Sequence, residues 1–290
     1  MIKLLALDLD GTLLNSRGEI SDQNREGIRR AEEAGVLVTI ATGRRFRDAL
    51  PVGLELGLNA PLVTHNGALL KFAQSLETVS VDLLPHDTCI EILRVGEEFG
   101  GDALVSVDPT QKGTLLYDTI SDDNLPLQKY LEWSRRLHGT EAQNAVIHVA
   151  DLSEEVKQHE VIHISFSGAC RPMYEMQQLL EDELRDTATI LATIYPRLDF
   201  TLIDILPPHA SKGAGLKRLT DIEGIDHDQV MAIGDNFNDI EMLEFAGTSV
   251  VMGNADPNLL ERGEFYTTLS NDESGVAAAI DVFIFGQEKQ

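Results

Sequence analysis

The N-terminal stretch Met1-Ile2-Lys3-Leu4-Leu5-Ala6-Leu7-Asp8-Leu9-Asp10-Gly11-Thr12 decides how the rest of the chain reads. Ile2 to Leu7 is a nearly continuous apolar run, the pattern of a parallel strand buried on both faces. It ends at two carboxylates one residue apart, where Gly11-Thr12 turns the chain. In open α/β sheets, ligands bind outside the carboxyl ends of the strands, which is where Asp8 and Asp10 fall. Two carboxylates this close repel unless a cation holds them, and hard oxygen ligands suit Mg²⁺. A carboxylate can also attack phosphorus and form an aspartyl-phosphate. A second one, two positions on, can protonate the leaving oxygen and then activate water. Alone, the same residues also read as a polar turn after a strand.

Beyond this segment, the first third of the chain alternates strand and helix. Ser21 is placed to cap a helix carrying Ile28, Ala31 and Ala34 up to Gly35. Val36 to Ala41 reads as a second buried strand. A helix through Phe46, Leu50 and Leu54 follows, with Pro51 expected to kink or divide it. Pro61 to Thr64 is a third strand, closed by the turn His65-Asn66-Gly67. The last third repeats the alternation: helix Lys212 to Leu219, strand Val230 to Ile233, helix Asp239 to Phe245, strand Ser249 to Met252. Strands separated by helices of this length imply a parallel sheet covered on both faces. The middle, from about Pro85 to Ile194, mixes helical segments (Asp87–Phe99, Leu125–His138, Pro172–Asp186) with alternating ones (Thr114–Ile120, Ala145–Val149, Val161–Ser167). Such alternation predicts an inserted α+β domain whose sheet has one face solvated.

The 290 residues carry 48 acidic against 23 basic side chains, a net charge of −25. That balance argues against nucleic acid or an anionic membrane as the partner. It also means that a phosphate-bearing substrate needs positive charge concentrated at its site. Cys89 and Cys170 give no disulfide framework and match no metal spacing, so both read as packing residues. The N-terminus is too short and too quickly acidic for a signal peptide. No apolar run approaches the roughly 20 residues of a transmembrane helix. A soluble cytoplasmic protein, monomeric or a small homo-oligomer, is the expectation.

Three more segments carry chemistry. Ala41-Thr42-Gly43-Arg44 follows a buried strand and opens a helix, where a hydroxyl and free N–H groups make an anion-binding corner; an ordinary threonine N-cap explains it as well. In Ser211-Lys212-Gly213 a lysine begins a helix. A cation there opposes the helix dipole, a placement that makes sense with an anion in front of it. Gly234-Asp235-Asn236-Phe237-Asn238-Asp239 follows an apolar strand. Asp235 is placed to complete a metal site, with Asn238 and Asp239 one turn later as ligands or as groups that orient water. All of these fall at strand ends of one sheet and together supply what phosphoryl transfer needs.

With these motifs in this order, the chain resembles the haloacid dehalogenase-like hydrolase superfamily, and within it the Cof-like phosphatases with a large α/β cap. The resemblance spans essentially the full length, with Asn66-Gly67-Ala68 and Gly253-Asn254-Ala255 adding support. It implies a Rossmann-like α/β core from residues 1–83 and 195–290 and an α+β cap from 84–194 that closes over the substrate. It also implies Asp8 as nucleophile and Mg²⁺ ligand, and Asp10 as general acid/base that ligates through its carbonyl. Thr42, Gly43 and Lys212 are implied as phosphate binders, and Asp235 as metal ligand with Asn238 and Asp239 nearby. One departure is Pro207-Pro208-His209-Ala210, where relatives more often carry a glycine-containing turn; His209 reads as a loop residue. The expected function is Mg²⁺-dependent hydrolysis of a small phosphorylated metabolite, such as a phosphosugar. A phosphomutase-type transfer and a non-catalytic binding protein are the alternatives. Cap candidates for substrate contact are Tyr117, Trp133, His148, His163 and Arg171.

Overall fold

A computed structural model describes residues 1–287. By their contacts these fall into two units. One comprises Met1–Arg44, Ala49–Ser80 and the chain from Ser211 onward; the other comprises Arg45–Asp48 and Val81–Ala210.

In the first unit, strand Leu4–Leu7 lies between Val230–Gly234 and Leu37–Ile40, and Thr248–Val251 and Tyr266–Thr267 extend the sheet beyond Val230–Gly234. Every pairing is parallel, and Leu7 is level with both Ile233 and Ile40. The carboxyl ends of Val230–Gly234, Leu4–Leu7 and Leu37–Ile40 therefore share one edge, and Asp235, Asp8 and Ala41 follow directly from it. All four residues of the Leu4–Leu7 strand are fully buried. Each such leucine stabilises the fold by roughly 1.5–3 kcal/mol. A single parallel bridge, Ala41 to Val63, leads on to a small sheet of Leu62–Thr64, Leu69–Lys71 and Thr78–Val81.

Helix Asp22–Glu33 begins as its sequence predicts, with the Ser21 hydroxyl accepting from the Asn24 N–H. Helix Phe46–Leu56, however, runs unbroken through Pro51. Proline there removes only the donor for the Arg47 carbonyl. The predicted helix at Asp239 starts as a short 3₁₀ turn, Phe237–Asp239, before Ile240–Phe245.

The second unit is built on a six-stranded sheet. Its order is Thr189–Tyr195, Phe200–Leu206, Val161–Gly168, Asp102–Val107, Thr114–Tyr117, Val146–His148, antiparallel except for the last pair. Two sequence-based expectations change here. The boundary at 194 falls inside a strand, because Thr189–Tyr195 and Phe200–Leu206 pair along their whole length and the latter also pairs with Val161–Gly168. The chain cannot leave that ladder before Leu206, and the unit ends at Ala210. The expected solvated face is also wrong for the middle of the sheet, since Val161 to Ser167 are all buried. Val105 and Phe166 pack with Ile92 and Met176 from helices His86–Phe99 and Cys170–Leu184. The neighbouring Leu104, whose side chain points to the opposite face, packs with Leu127 and Leu131 of helix Leu125–His138.

Arg45–Asp48 joins this unit through a polar cluster that the sequence did not signal. Arg45 donates twice to Asp48, at 2.8 and 2.9 Å, and also to the Ser134 hydroxyl. Asp48 accepts from Tyr130 at 3.0 Å and meets His138 Nε2 at 2.9 Å. Cys89 is a buried packing residue whose thiol is pushed up to about 12 by burial. Among the described residues, no helix is long and apolar enough to cross a membrane.

Candidate active site

Asp8 follows the first strand with its N–H bonded to the Ile233 carbonyl at 3.0 Å, so the sheet itself fixes its backbone. Gly11 then turns the chain at φ +85°, and a β-carbon there would lie 2.3 Å from Asp235 Oδ2. Only glycine admits both the left-handed backbone and that approach. The Thr12 hydroxyl donates to Asp235 Oδ1 at 2.9 Å, tying the first loop to the one after Val230–Gly234.

Lys212 is the first residue of helix Lys212–Glu223, capped by the Ser211 hydroxyl accepting from the Ala214 N–H. Its ammonium is buried and donates to Asp8 Oδ1 and Asp239 Oδ1, both at 2.6 Å. Asp239 spends its other oxygen on the backbone N–H groups of Asp235 and Asn236, at 2.9 and 3.0 Å. Asp239 thus holds both the lysine and the loop that presents Asp235.

Asp8, Asp235 and Asp239 each offer an oxygen within 4.8 Å of the others. Three carboxylates against one ammonium leave two negative charges in a buried place. Burial drives the Asp8 carboxyl well above the usual carboxylate range; Lys212 opposes this, and Asp239 and Asp235 add to it. Burial likewise pushes Asp235 up to about 6, against the Thr12 hydrogen bond. For Lys212, burial works against the charge, but Asp239 and Asp8 outweigh it and hold the ammonium above its ordinary value.

Asp10 stands apart from this group. Its carboxylate accepts two hydrogen bonds from the Arg44 guanidinium, at 2.6 and 2.7 Å, and is largely exposed. Thr42 is buried, and its hydroxyl accepts from the Arg44 N–H at 3.1 Å. The helix begins only at Phe46, so Thr42 shapes a loop and does not cap that helix. Gly43 lies against the Asn66 side chain. Asn238 is exposed. His209 is exposed too, at φ 62° in a turn closed by the Ala210 N–H to the Pro207 carbonyl, which fits its reading as a loop residue.

Three positioning residues escaped the sequence reading. Thr12 and Arg44 stand within motifs, but nothing local to them names Asp235 and Asp10 as their partners. Asn254 donates to the Gly11 carbonyl at 2.8 Å and accepts from the Asn271 N–H, bracing the first loop from the C-terminal segment. Only the family resemblance, which includes Gly253-Asn254-Ala255, points to it.

The comparisons with known proteins agree along the whole chain. A family model described as haloacid dehalogenase-like hydrolase matches residues 5–280. The 5-amino-6-(5-phospho-D-ribitylamino)uracil phosphatase YwtE of Bacillus subtilis (strain 168) is 32% identical, with 99% of each chain covered. The putative phosphatase YxeH of the same organism is 28% identical over 99% of this chain and 100% of its own. A haloacid dehalogenase-like hydrolase from Bacteroides thetaiotaomicron superposes with a TM-score of 0.81 at 27% identity, covering 97% of this chain and 99% of that one.

Proposed function

Since the chain belongs to the haloacid dehalogenase-like hydrolases, we propose that it is a Mg²⁺-dependent phosphatase acting on small phosphate monoesters, sugar phosphates among them, through an aspartyl-phosphate on Asp8. The observation that carries this reading is the buried ion cluster of Lys212 with Asp8 and Asp239, and Asp235 beside it.

The donor set fits Mg²⁺. Its ligands are hard carboxylate oxygens, few enough to leave room for water and phosphate, and the cluster's excess of two negative charges matches one divalent cation. Asp8 and Asp235 would be the carboxylate ligands in this reading, with the Asp10 backbone carbonyl as a third. Asp239 has both oxygens in hydrogen bonds and serves to hold Lys212. When bound, Mg²⁺ neutralises and orients the oxygens of the transferring phosphoryl group.

The remaining work falls to side chains. Lys212 and the Thr42–Gly43 loop hold the phosphate, with Lys212 also orienting Asp8 through its 2.6 Å hydrogen bond. An oxygen of Asp8 attacks phosphorus as the bond to the leaving oxygen breaks, and Asp10, released from Arg44 and carrying a proton taken from solvent, gives that proton to the leaving oxygen. Asp10 then takes a proton from water as the water oxygen attacks phosphorus, releasing inorganic phosphate and restoring the Asp8 carboxylate. For either transfer the Asp10–Arg44 pair has to open. The inserted unit serves as the cap that selects the leaving group and excludes water.

The test is a panel of phosphorylated metabolites and aryl phosphates assayed with the metal-stripped protein. Turnover is expected with added Mg²⁺, to be lost with chelator and to return with excess metal. Turnover indifferent to chelator contradicts the metal-assisted reading, and no turnover across the panel contradicts the phosphatase reading.

A further inference from the structure

The turn His65-Asn66-Gly67 has no part in the chemistry above, yet its conformation is unusual. His65, Asn66 and Gly67 have φ of 51°, 50° and 93°, three consecutive residues in the left-handed region. Left-handed backbone at two successive non-glycine residues, His65 and Asn66, persists only where its surroundings over-determine it. Here the His65 N–H donates to the Arg44 carbonyl and the Asn66 N–H to the Thr42 carbonyl, at 3.0 and 3.1 Å. On the other side Gly67 packs so closely on the Ser211 carbonyl that a β-carbon would lie 2.0 Å from its oxygen. The turn is thus clamped between the Thr42–Arg44 loop and the start of the helix that carries Lys212.

This clamp delivers the Asn66 side chain against Gly43: a β-carbon on Gly43 would meet its Oδ1 at 3.1 Å and its Nδ2 at 3.2 Å. Asn66 is 4% exposed, and its Oδ1 is buried with no hydrogen-bond partner. A buried amide oxygen without a donor is destabilising, and native proteins rarely keep one. It sits beside the residues that hold phosphate in the reading above, so a ligand is the natural source of the missing donor. The phosphate dianion offers only acceptors. The donor must come from the organic part of the substrate, close to the ester oxygen.

We propose that Asn66 is a specificity-determining residue that accepts a hydrogen bond from a hydroxyl group near the phosphoester, favouring polyol and sugar phosphates over esters that lack one. This rests on the phosphatase reading of the same site. Asn66→Gly tests it cleanly, because glycine adopts the left-handed backbone without strain and removes only the amide. The readout is the ratio of kcat/KM for glycerol 3-phosphate and glucose 6-phosphate to that for phenyl phosphate, with thermal unfolding as the fold control. The ratio is expected to fall by about ten- to a hundredfold in Asn66→Gly. In Asn66→Asp, which keeps an acceptor at this position, it stays near the wild-type ratio while turnover of both substrate types drops from added charge. A ratio within about twofold of wild type in Asn66→Gly overturns the proposal, as does a fall in Asn66→Asp equal to that in Asn66→Gly. Wild-type turnover of phenyl phosphate with no preference for either hydroxylated ester also overturns it and leaves the phosphatase reading standing. Absence of turnover on every substrate removes that reading, and this proposal with it.

Discussion

Asp239 holds Lys212 with one carboxylate oxygen, at 2.6 Å, while its other oxygen accepts two backbone N–H groups of the loop that carries Asp235. Both oxygens must therefore act as acceptors. An asparagine of the same shape cannot satisfy this, since its NH₂ has to face either the ammonium or the two amides. Asp239→Asn is expected to lower the unfolding free energy by about 3–5 kcal/mol, the usual cost of breaking a buried ion pair. Urea unfolding of the metal-free protein measures it. A loss below about 1 kcal/mol would mean that the pair is dispensable to the fold.

Gly11 links backbone conformation to the carboxylate group. Alanine there meets both a left-handed φ of +85° and Asp235 Oδ2 at 2.3 Å. Gly11→Ala is expected to cost at least about 1 kcal/mol of stability from the backbone alone. It should weaken Mg²⁺ binding as well, because relief of the clash displaces Asp235. Isothermal titration of both proteins with MgCl₂ checks this, and unchanged affinity would separate Asp235 from the metal.

The Arg45–Asp48 cluster sets a pH dependence in the inserted unit. Burial opposes the charge on Asp48, but Arg45 and the hydrogen bond from His138 prevail and hold its carboxyl well below the usual carboxylate range. The folded-state value is thus below the unfolded one. The stabilisation is present above the unfolded value of about 3.9 and is lost as pH falls through the lower folded value. Asp48→Asn is expected to be less stable than wild type near neutrality by about 3–5 kcal/mol. The gap should narrow as pH drops below about 4. Thermal unfolding from neutral pH into acid follows it; a gap independent of pH would exclude a charge-based role.

The first strand, its flanking carboxylates and the level strand ends were legible because a buried parallel strand is written in one continuous apolar run. Motifs at strand ends could be placed on one edge without knowing any contact. The same logic failed in the insert: Thr189–Tyr195 and Phe200–Leu206 are largely apolar, and their membership in the second sheet depends on pairing partners distant in sequence. Contacts between side chains were not legible at all. Nothing local to Arg44 predicts its grip on Asp10, and nothing near Asn254 predicts its bond to Gly11, more than two hundred residues away. Likewise, the assignment of Arg45–Asp48 to the second unit depends on Tyr130, Ser134 and His138.

The proposed chemistry turns on Asp8 taking the phosphoryl group. The direct measurement is acid-quenched, single-turnover reaction of the Mg²⁺-loaded enzyme with a substrate, followed by mass spectrometry of the Asp8 peptide. A phosphorylated peptide is expected within the turnover time, absent in Asp8→Asn, whose turnover should fall by at least about a thousandfold with the fold intact. Substantial turnover in Asp8→Asn, or product release with the phosphoryl group found on another residue, would contradict it.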